Sequence, residues 1–393
     1  MARATYPATQ AANTGVRALG GRFLTLPASW LYRPEGNRDL RLDLLRGYCL
    51  FIIIADHISY YPAFTLYFTG GGYFIVSAAE GFIFISGMVM GMVYGTRAIK
   101  YGLQSATEKI LHRAWQLYLW NIIVALGYLL LAYFTPLHTR KEAVAPPPNF
   151  DFDLVVKLLT LKQSFGWSDL LATYAVLVAI SPVVLYFLLR KKTPWVLGLS
   201  WAFWLGYQVF PQHFSPEIGT FPLFAWQLLF VNGLVIGYHR EAIKEFFSRI
   251  PKWKLYTPLL VTFFSLLALG IAWVFAGAFA GNADLNWFLG EMFDKMALRP
   301  GRVLTFFVFF ATLYVGLSYF WEPIRKALGW VLIPLGQNSL YVYILHGFVV
   351  SIFFNIPGYG DGSMLVHTLG HLTALLALWT LVKNKVLFQL IPR

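Results

Sequence analysis

Residues 43–62 read DLLRGYCLFIIIADHISYYP, an apolar run long enough to enter a bilayer that still carries Arg46 near one end and the pair Asp56 and His57 near the other. A charged or titratable side chain at membrane depth costs roughly 2.5–3.5 kcal/mol on insertion scales, so it normally faces a protein interior, a water-filled cavity or a substrate path. Arg46 and His57 are eleven residues apart. On a helix that is three turns, about 16 Å along the axis with almost no net rotation. Both side chains therefore point to one face, and Cys49, Leu50 and Ile53 fill it between them.

The chain around this stretch is membrane-like. Of its 393 residues 58% are hydrophobic, 12% charged and 18% aromatic, and the mean hydropathy is +0.59, a balance outside the range of soluble domains. The 14 Trp, 22 Tyr and 35 Phe suit the headgroup layer, where amphipathic rings gather. The single cysteine, Cys49, excludes an intramolecular disulfide and a multi-cysteine metal site.

Residues 1–40 contain no apolar run of signal-peptide length and five arginines without a lysine, the pattern of an uncleaved basic tail. Beyond it, apolar segments of spanning length recur at 44–62, 73–95, 110–134, 170–189, 194–210, 221–238, 256–279, 303–320, 331–354 and 364–383. With a cytoplasmic amino terminus, the inside segments hold 23 of the 31 Lys and Arg, and the outside segments hold seven. That bias follows the positive-inside rule and accounts for the net charge of +13 without nucleic acid. The expected fold is an all-α polytopic membrane protein, a bundle of about ten transmembrane helices with both termini cytoplasmic. Its expected divisions are a tail over 1–40, one integral membrane domain over 41–385 and a short tail over 386–393.

Two outside loops are long, 135–169 with PPPNFDFD and SFGWSD, and 280–302 with NADLNW and ALRPGR. Rings beside polar groups suit a sugar, and they equally suit an interfacial cap. There is no internal repeat to support an inverted-repeat transporter.

The second span carries Glu80, then Gly87, Gly91 and Gly95 at four-residue spacing. Such glycines mark close helix packing. Glu80 needs a partner or a cavity, and the antiparallel first span offers Arg46 and His57. The third span opens with Lys109, His112 and Arg113, which either anchor the inside mouth or hold an anionic ligand. In the ninth span, GQNSLYVYILHG places Ser339, Tyr343 and His346 at steps of four and three on one inward face, with Asn338 alongside. His367 and His371 on the tenth span lack the intervening glutamate of a zinc-protease motif and are expected to be interfacial, with no metal site.

The first span, RLDLLRGYCLFIIIADHIS, resembles the opening of the membrane acyltransferase 3 superfamily, in which an Arg and a His are separated by ten residues. LDLLRG, AAEGFIFISGMVMGMVYG and HRAWQLY look most like its OpgC group, and NSLYVYILH is similar to the Ser-Tyr-then-His pattern late in these chains. The Lys109, His112 and Arg113 cluster departs from the clustered arginines of related acyltransferases.

The resemblance implies transfer of an acyl group, typically succinyl from succinyl-CoA, to hydroxyls of an osmoregulated periplasmic glucan at a bacterial inner membrane. Acyl-CoA would be a co-substrate with no permanently bound cofactor, and the partners would be membrane lipids and the glucan, with no nucleic acid. In that reading His57 is the general base, near neutral pH a suitable role for an imidazole. Glu80 or Asp56 fixes its tautomer, with Glu80 preferred because adjacent helix positions diverge by about 100°. Arg46 binds the donor with Arg113, Lys109 and His112, the pantetheine arm runs past Cys49, and Ser339, Tyr343 and His346 support the acceptor. The competing classes are a transporter or flippase for a sugar or lipid-linked intermediate, which would also carry polar intramembrane residues, and a regulatory membrane partner without chemistry of its own.

Overall fold

A computed structural model describes residues 38–138, 151–214 and 221–393. Among them there are helices and no strands. In chain order these are α1 (Leu40–Ile58), α2 (Leu66–Thr69), α3 (Ala78–Phe134), α4 (Phe152–Leu159), α5 (Asp169–Leu189), α6 (Thr193–Val209) and α7 (Leu223–Tyr238). There follow α8 (Arg240–Ser248), α9 (Lys252–Gly270), α10 (Ala283–Met292), α11 (Pro300–Tyr319), α12 (Trp321–Gln337), α13 (Ser339–Phe354) and α14 (Met364–Lys383). Residues 1–37 of the expected tail, and 139–150 of the first long loop, lie outside the described residues. The rest of that loop forms α4, and the second long loop forms α10.

Helix α1 starts where Asp39 caps it, its carboxylate accepting from the Arg41 backbone N–H at 3.1 Å, which satisfies one of the donors a helix start leaves open. It stops at Ser59, whose left-handed backbone (φ 59°) ends the hydrogen-bond ladder. Helix α3 takes in the expected second and third spans, and they meet at Gly102 with φ 85°, ψ 157°. Nothing would meet a side chain there, so glycine is required by the backbone and not by space. Arg97 bridges the break, its Nε donating to Ser105 O at 3.1 Å and its Nη2 to Ser105 Oγ at 2.9 Å.

Close packing sets the bundle. A Cβ on Gly87 or Gly91 would lie 2.1 Å from the carbonyl oxygens of Phe230 and Leu234 on α7. One on Gly233 or Gly237 would lie 2.3 and 2.0 Å from those of Phe84 and Met88 on α3. Four glycines thus interlock α3 and α7, the close backbone approach that small residues allow. The same device seats α1 on α12, where Gly47 meets Leu332 O and Gly336 meets Asp43 O.

Five helical stretches are long and apolar enough to cross a membrane: α3, α5, Lys252–Phe275, α11 and α14. The expected ninth span is broken instead of straight. Its halves, α12 and α13, bend by 96° about Asn338, and together they make a sixth candidate. Pro334 lies one turn before the break and removes a ladder donor.

Candidate functional site

The polar face of α1 meets two different surroundings. At its first end Arg46 is 8% exposed and lines a cavity of about 1180 Å3, above the roughly 300–1,000 Å3 of ordinary small-molecule pockets. Lys109, His112 and Arg113 of α3 line it too, with Ser86, Gln116, Asn338 and Ser339. Lys383, Lys385 and Arg393 add further positive charge, Arg38 is ion-paired with Asp43 at 2.7 Å, and no Asp or Glu is among the lining residues. The Nε of Arg46 is buried without a hydrogen-bond partner among the described residues. A guanidinium lining a cationic cavity is suited to pair with an oxyanion.

At the other end His57 Nδ1 lies 2.9 Å from His346 Nε2, and His346 Nδ1 lies 2.5 Å from the backbone oxygen of Tyr343. A carbonyl oxygen only accepts, so His346 carries its proton on Nδ1 and presents a lone pair on Nε2. His57 must then donate from Nδ1, which leaves the lone pair of its neutral ring on Nε2. His346 is fully buried. The indole of Trp167 stacks on the His57 ring, with centroids 3.7 Å apart and planes 14° from parallel. A Cβ on Gly347 would lie 2.6 Å from Trp167 Cδ1 and 1.8 Å from Tyr128 Oη, so the glycine after His346 makes room for both rings.

Aromatic rings lie between the two ends. Phe82 and Tyr174 line the cavity and contact each other at 6.1 Å between centroids. Phe82 meets Tyr343 at 5.8 Å, and Tyr343 meets His346 at 4.9 Å. A run of ring contacts, Tyr174 to Phe82 to Tyr343 to His346, thus links the cavity lining to the histidine pair.

Several expected partnerships are replaced. Glu80 does not orient His57. Its Oε1 accepts from Arg302 Nε at 2.5 Å, and its Oε2 accepts from the backbone and hydroxyl of Ser77 in a capping box. Buried on both sides, the Glu80–Arg302 pair ties the start of α3 to the start of α11, where the preference of a helix start for a carboxylate adds to the ion pair. Asp56 accepts from Tyr61 Oη at 3.1 Å, turned away from the His57 face as helical geometry requires. Cys49 is not on a route from the cavity to His57. It packs on Gly81, where a Cβ would lie 2.8 Å from its Sγ, and it lines a separate, smaller apolar cavity.

His367 and His371, expected at the interface, are packed inside the protein at 1% and 0% exposure. His371 Nδ1 pairs with Thr65 Oγ1 at 2.6 Å, and the two nitrogens of His367 each lie 3.0 Å from a carbonyl oxygen, of Pro62 and Tyr359. They fasten α14 to the loop that follows His57. Among the described residues no group of three or more His, Cys, Asp or Glu could hold a metal ion.

Ser339, Tyr343 and His346 share α13 but divide between the two ends: Ser339 lines the cavity, and His346 meets His57. Sequence reasoning missed Arg302, Trp167 and the basic residues after α14 as site components. Arg302 carried a readable signal, a lone arginine at the mouth of an apolar run. Trp167 lies in the loop noted for rings beside polar groups.

No curated protein and no solved structure matches this chain. A family model described as OpgC protein matches residues 38–389, which takes in α1, the histidine pair and every cavity-lining residue but Arg393. The chain belongs to the OpgC family.

Proposed function

We propose that this chain is a transmembrane O-acyltransferase that moves an acyl group, succinyl in the first instance, from cytoplasmic acyl-CoA to hydroxyls of a periplasmic glucan. The observation that carries this reading is one helix with two different ends. On α1 a buried Arg46, whose Nε has no hydrogen-bond partner among the described residues, lines a cationic cavity, and three turns away His57 has its tautomer set by His346. A cavity lined by cations and no carboxylates suits a polyphosphate, and the distance of about 16 Å between the two residues along the axis is of the order of an extended pantetheine arm. The charge count of the loops supports ten spans, a cytoplasmic cavity and an outward-facing histidine pair in a bacterial inner membrane.

The chemistry balances without a metal. The acyl arm passes between Phe82, Tyr174 and Tyr343 and brings its thioester carbonyl to His57. The sugar hydroxyl forms the new C–O bond as His57 Nε2 takes its proton, and the C–S bond breaks with the proton passing to the departing sulfur. The imidazolium formed on the way keeps its Nδ1–H bond to His346. CoA never crosses the membrane.

The test is thiol release from succinyl-CoA by the protein in lipid nanodiscs, with and without glucan, together with mass spectrometry of the glucan. Glucan-dependent thiol release that disappears in His57→Ala supports the assignment. Movement of glucan across vesicles with no thiol release would overturn it in favour of a transporter.

A further inference from the structure

The residues after α14 form a folded wall of the cavity. Lys385 and Leu387 both take left-handed backbone (φ 54° and 57°), which side-chain-bearing residues adopt only where their surroundings compel it. Three attachments supply the compulsion. Tyr341 Oη donates to Val386 O at 2.7 Å, the ring of Phe388 meets that of the fully buried Tyr341 edge-on at 4.8 Å, and Ile391 is 5% exposed. Tyr341 follows Asn338 and Ser339, two cavity-lining residues, on the first turn of α13.

This anchorage brings Lys383, Lys385, Phe388 and Arg393 to the cavity that also holds Arg46, Lys109 and Arg113. The Arg393 guanidinium rests on the Phe388 ring, 4.9 Å from its centroid, so its charge is positioned and not trailing in solvent. Like charges gathered around one space repel, and a bound polyanion reverses the sign of that interaction. Arg46, whose Nε has no hydrogen-bond partner among the described residues, lines the same cavity.

Building on the acyl-CoA reading above, we infer that Lys385 and Arg393 form a phosphate-binding rim that selects the nucleotide end of the donor. Arg46 serves the deeper oxyanion. The shared chemistry is phosphate, which a nucleotide or an anionic lipid headgroup would supply, and the rim takes the nucleotide.

The experiment measures binding of CoA and of 3′-dephospho-CoA to the full chain in phosphatidylcholine nanodiscs. The variants are Lys385→Ala with Arg393→Ala, the charge-preserving Lys385→Arg with Arg393→Lys, and Lys326→Ala as a basic residue outside the cavity. Removing the two rim charges should weaken CoA binding on the order of ten-fold and narrow the preference over 3′-dephospho-CoA. The charge-preserving pair and Lys326→Ala should bind as wild type does. Wild-type affinity in the alanine pair would overturn the rim and leave the acyl-CoA reading standing. If the alanine pair instead keeps CoA affinity but loses a wild-type preference for phosphatidylglycerol nanodiscs, the rim serves a lipid headgroup and the inference fails. Absence of CoA binding to the wild type would remove both readings together.

Discussion

His57 Nδ1 lies 2.9 Å from His346 Nε2, a contact between α1 and α13 made across 289 residues of sequence. Its direction is dictated from the far side, because Tyr343 O can only accept and so fixes the proton on His346. In the acyl transfer proposed above, His346 is a positioning residue that acts on the hydroxyl only through the tautomer of His57.

Two substitutions separate that role from simple packing. His346→Gln retains an amide oxygen that can accept the His57 Nδ1–H, whereas His346→Ala removes this acceptor. With His57 as general base, His346→Ala should lower kcat about 10²-fold, within the range for acid–base groups, with little change in donor KM. His346→Gln should recover a substantial part of kcat. Equal losses in the two variants would identify a packing role instead, read by steady-state thiol release.

Glu80 and Arg302 make a structural prediction of a different kind. Removing one partner of a buried ion pair costs about 3–5 kcal/mol because the other charge stays in the interior uncompensated. Glu80→Ala or Arg302→Ala should therefore sharply lower thermal stability in nanodiscs. The combined Glu80→Leu and Arg302→Met should recover most of it, since an apolar pair of similar volume carries no desolvation penalty. A double variant no more stable than the singles would show that the pair does more than hold α3 to α11.

These contacts mark where the sequence was legible and where it was not. The helical class follows from apolar runs of spanning length, and the common face of Arg46 and His57 follows from an eleven-residue step on a helix. Both are local properties. The partner of Glu80 was misjudged because adjacency along the chain favoured α1, whereas Arg302 reaches it from 222 residues away. The bend at Asn338 was hidden inside a continuous apolar run, since hydropathy does not register direction. Residues 386–393, with Arg393, were read as a tail because their attachments to Tyr341, through Val386 and Phe388, reach back more than 40 residues along the chain. Cys49 was placed on the working face by periodicity alone, and the neighbouring glycine, Gly81, draws α3 over it.

Trp167 stacks on His57 at 3.7 Å, which holds the imidazole plane while leaving its ring nitrogens in the plane for hydrogen bonding. The contact requires a flat ring and not the indole N–H. Trp167→Phe should keep activity within about threefold of wild type, and Trp167→Ala should lose about ten-fold or more, with the ring contact worth on the order of 1 kcal/mol beyond burial. Assays of both variants at saturating donor check this. A phenylalanine variant as poor as alanine would point to the indole nitrogen instead.

The seat of α1 on α12 decides whether Arg46 and His57 keep their separate surroundings. A Cβ on Gly336 would stand 1.8 Å from Asp43 O, and one on Gly47 2.0 Å from Leu332 O. Both obstacles are backbone atoms of packed helices, which have no rotamer to give. Gly336→Ala must therefore push α1 and α12 apart, at a cost of about 1–3 kcal/mol for an overpacked contact. Because α1 carries both ends of the proposed site, that displacement should lower the proposed acyl transfer as well as stability. Gly198 on α6 is the control: nothing lies within 4 Å of a Cβ there, and its backbone is helical, so Gly198→Ala should leave both unchanged or gain up to about 1 kcal/mol from helix propensity. Thermal unfolding and thiol release on the two variants test the argument, and a Gly336→Ala protein with wild-type stability and activity would show that α1 is not held by this seat.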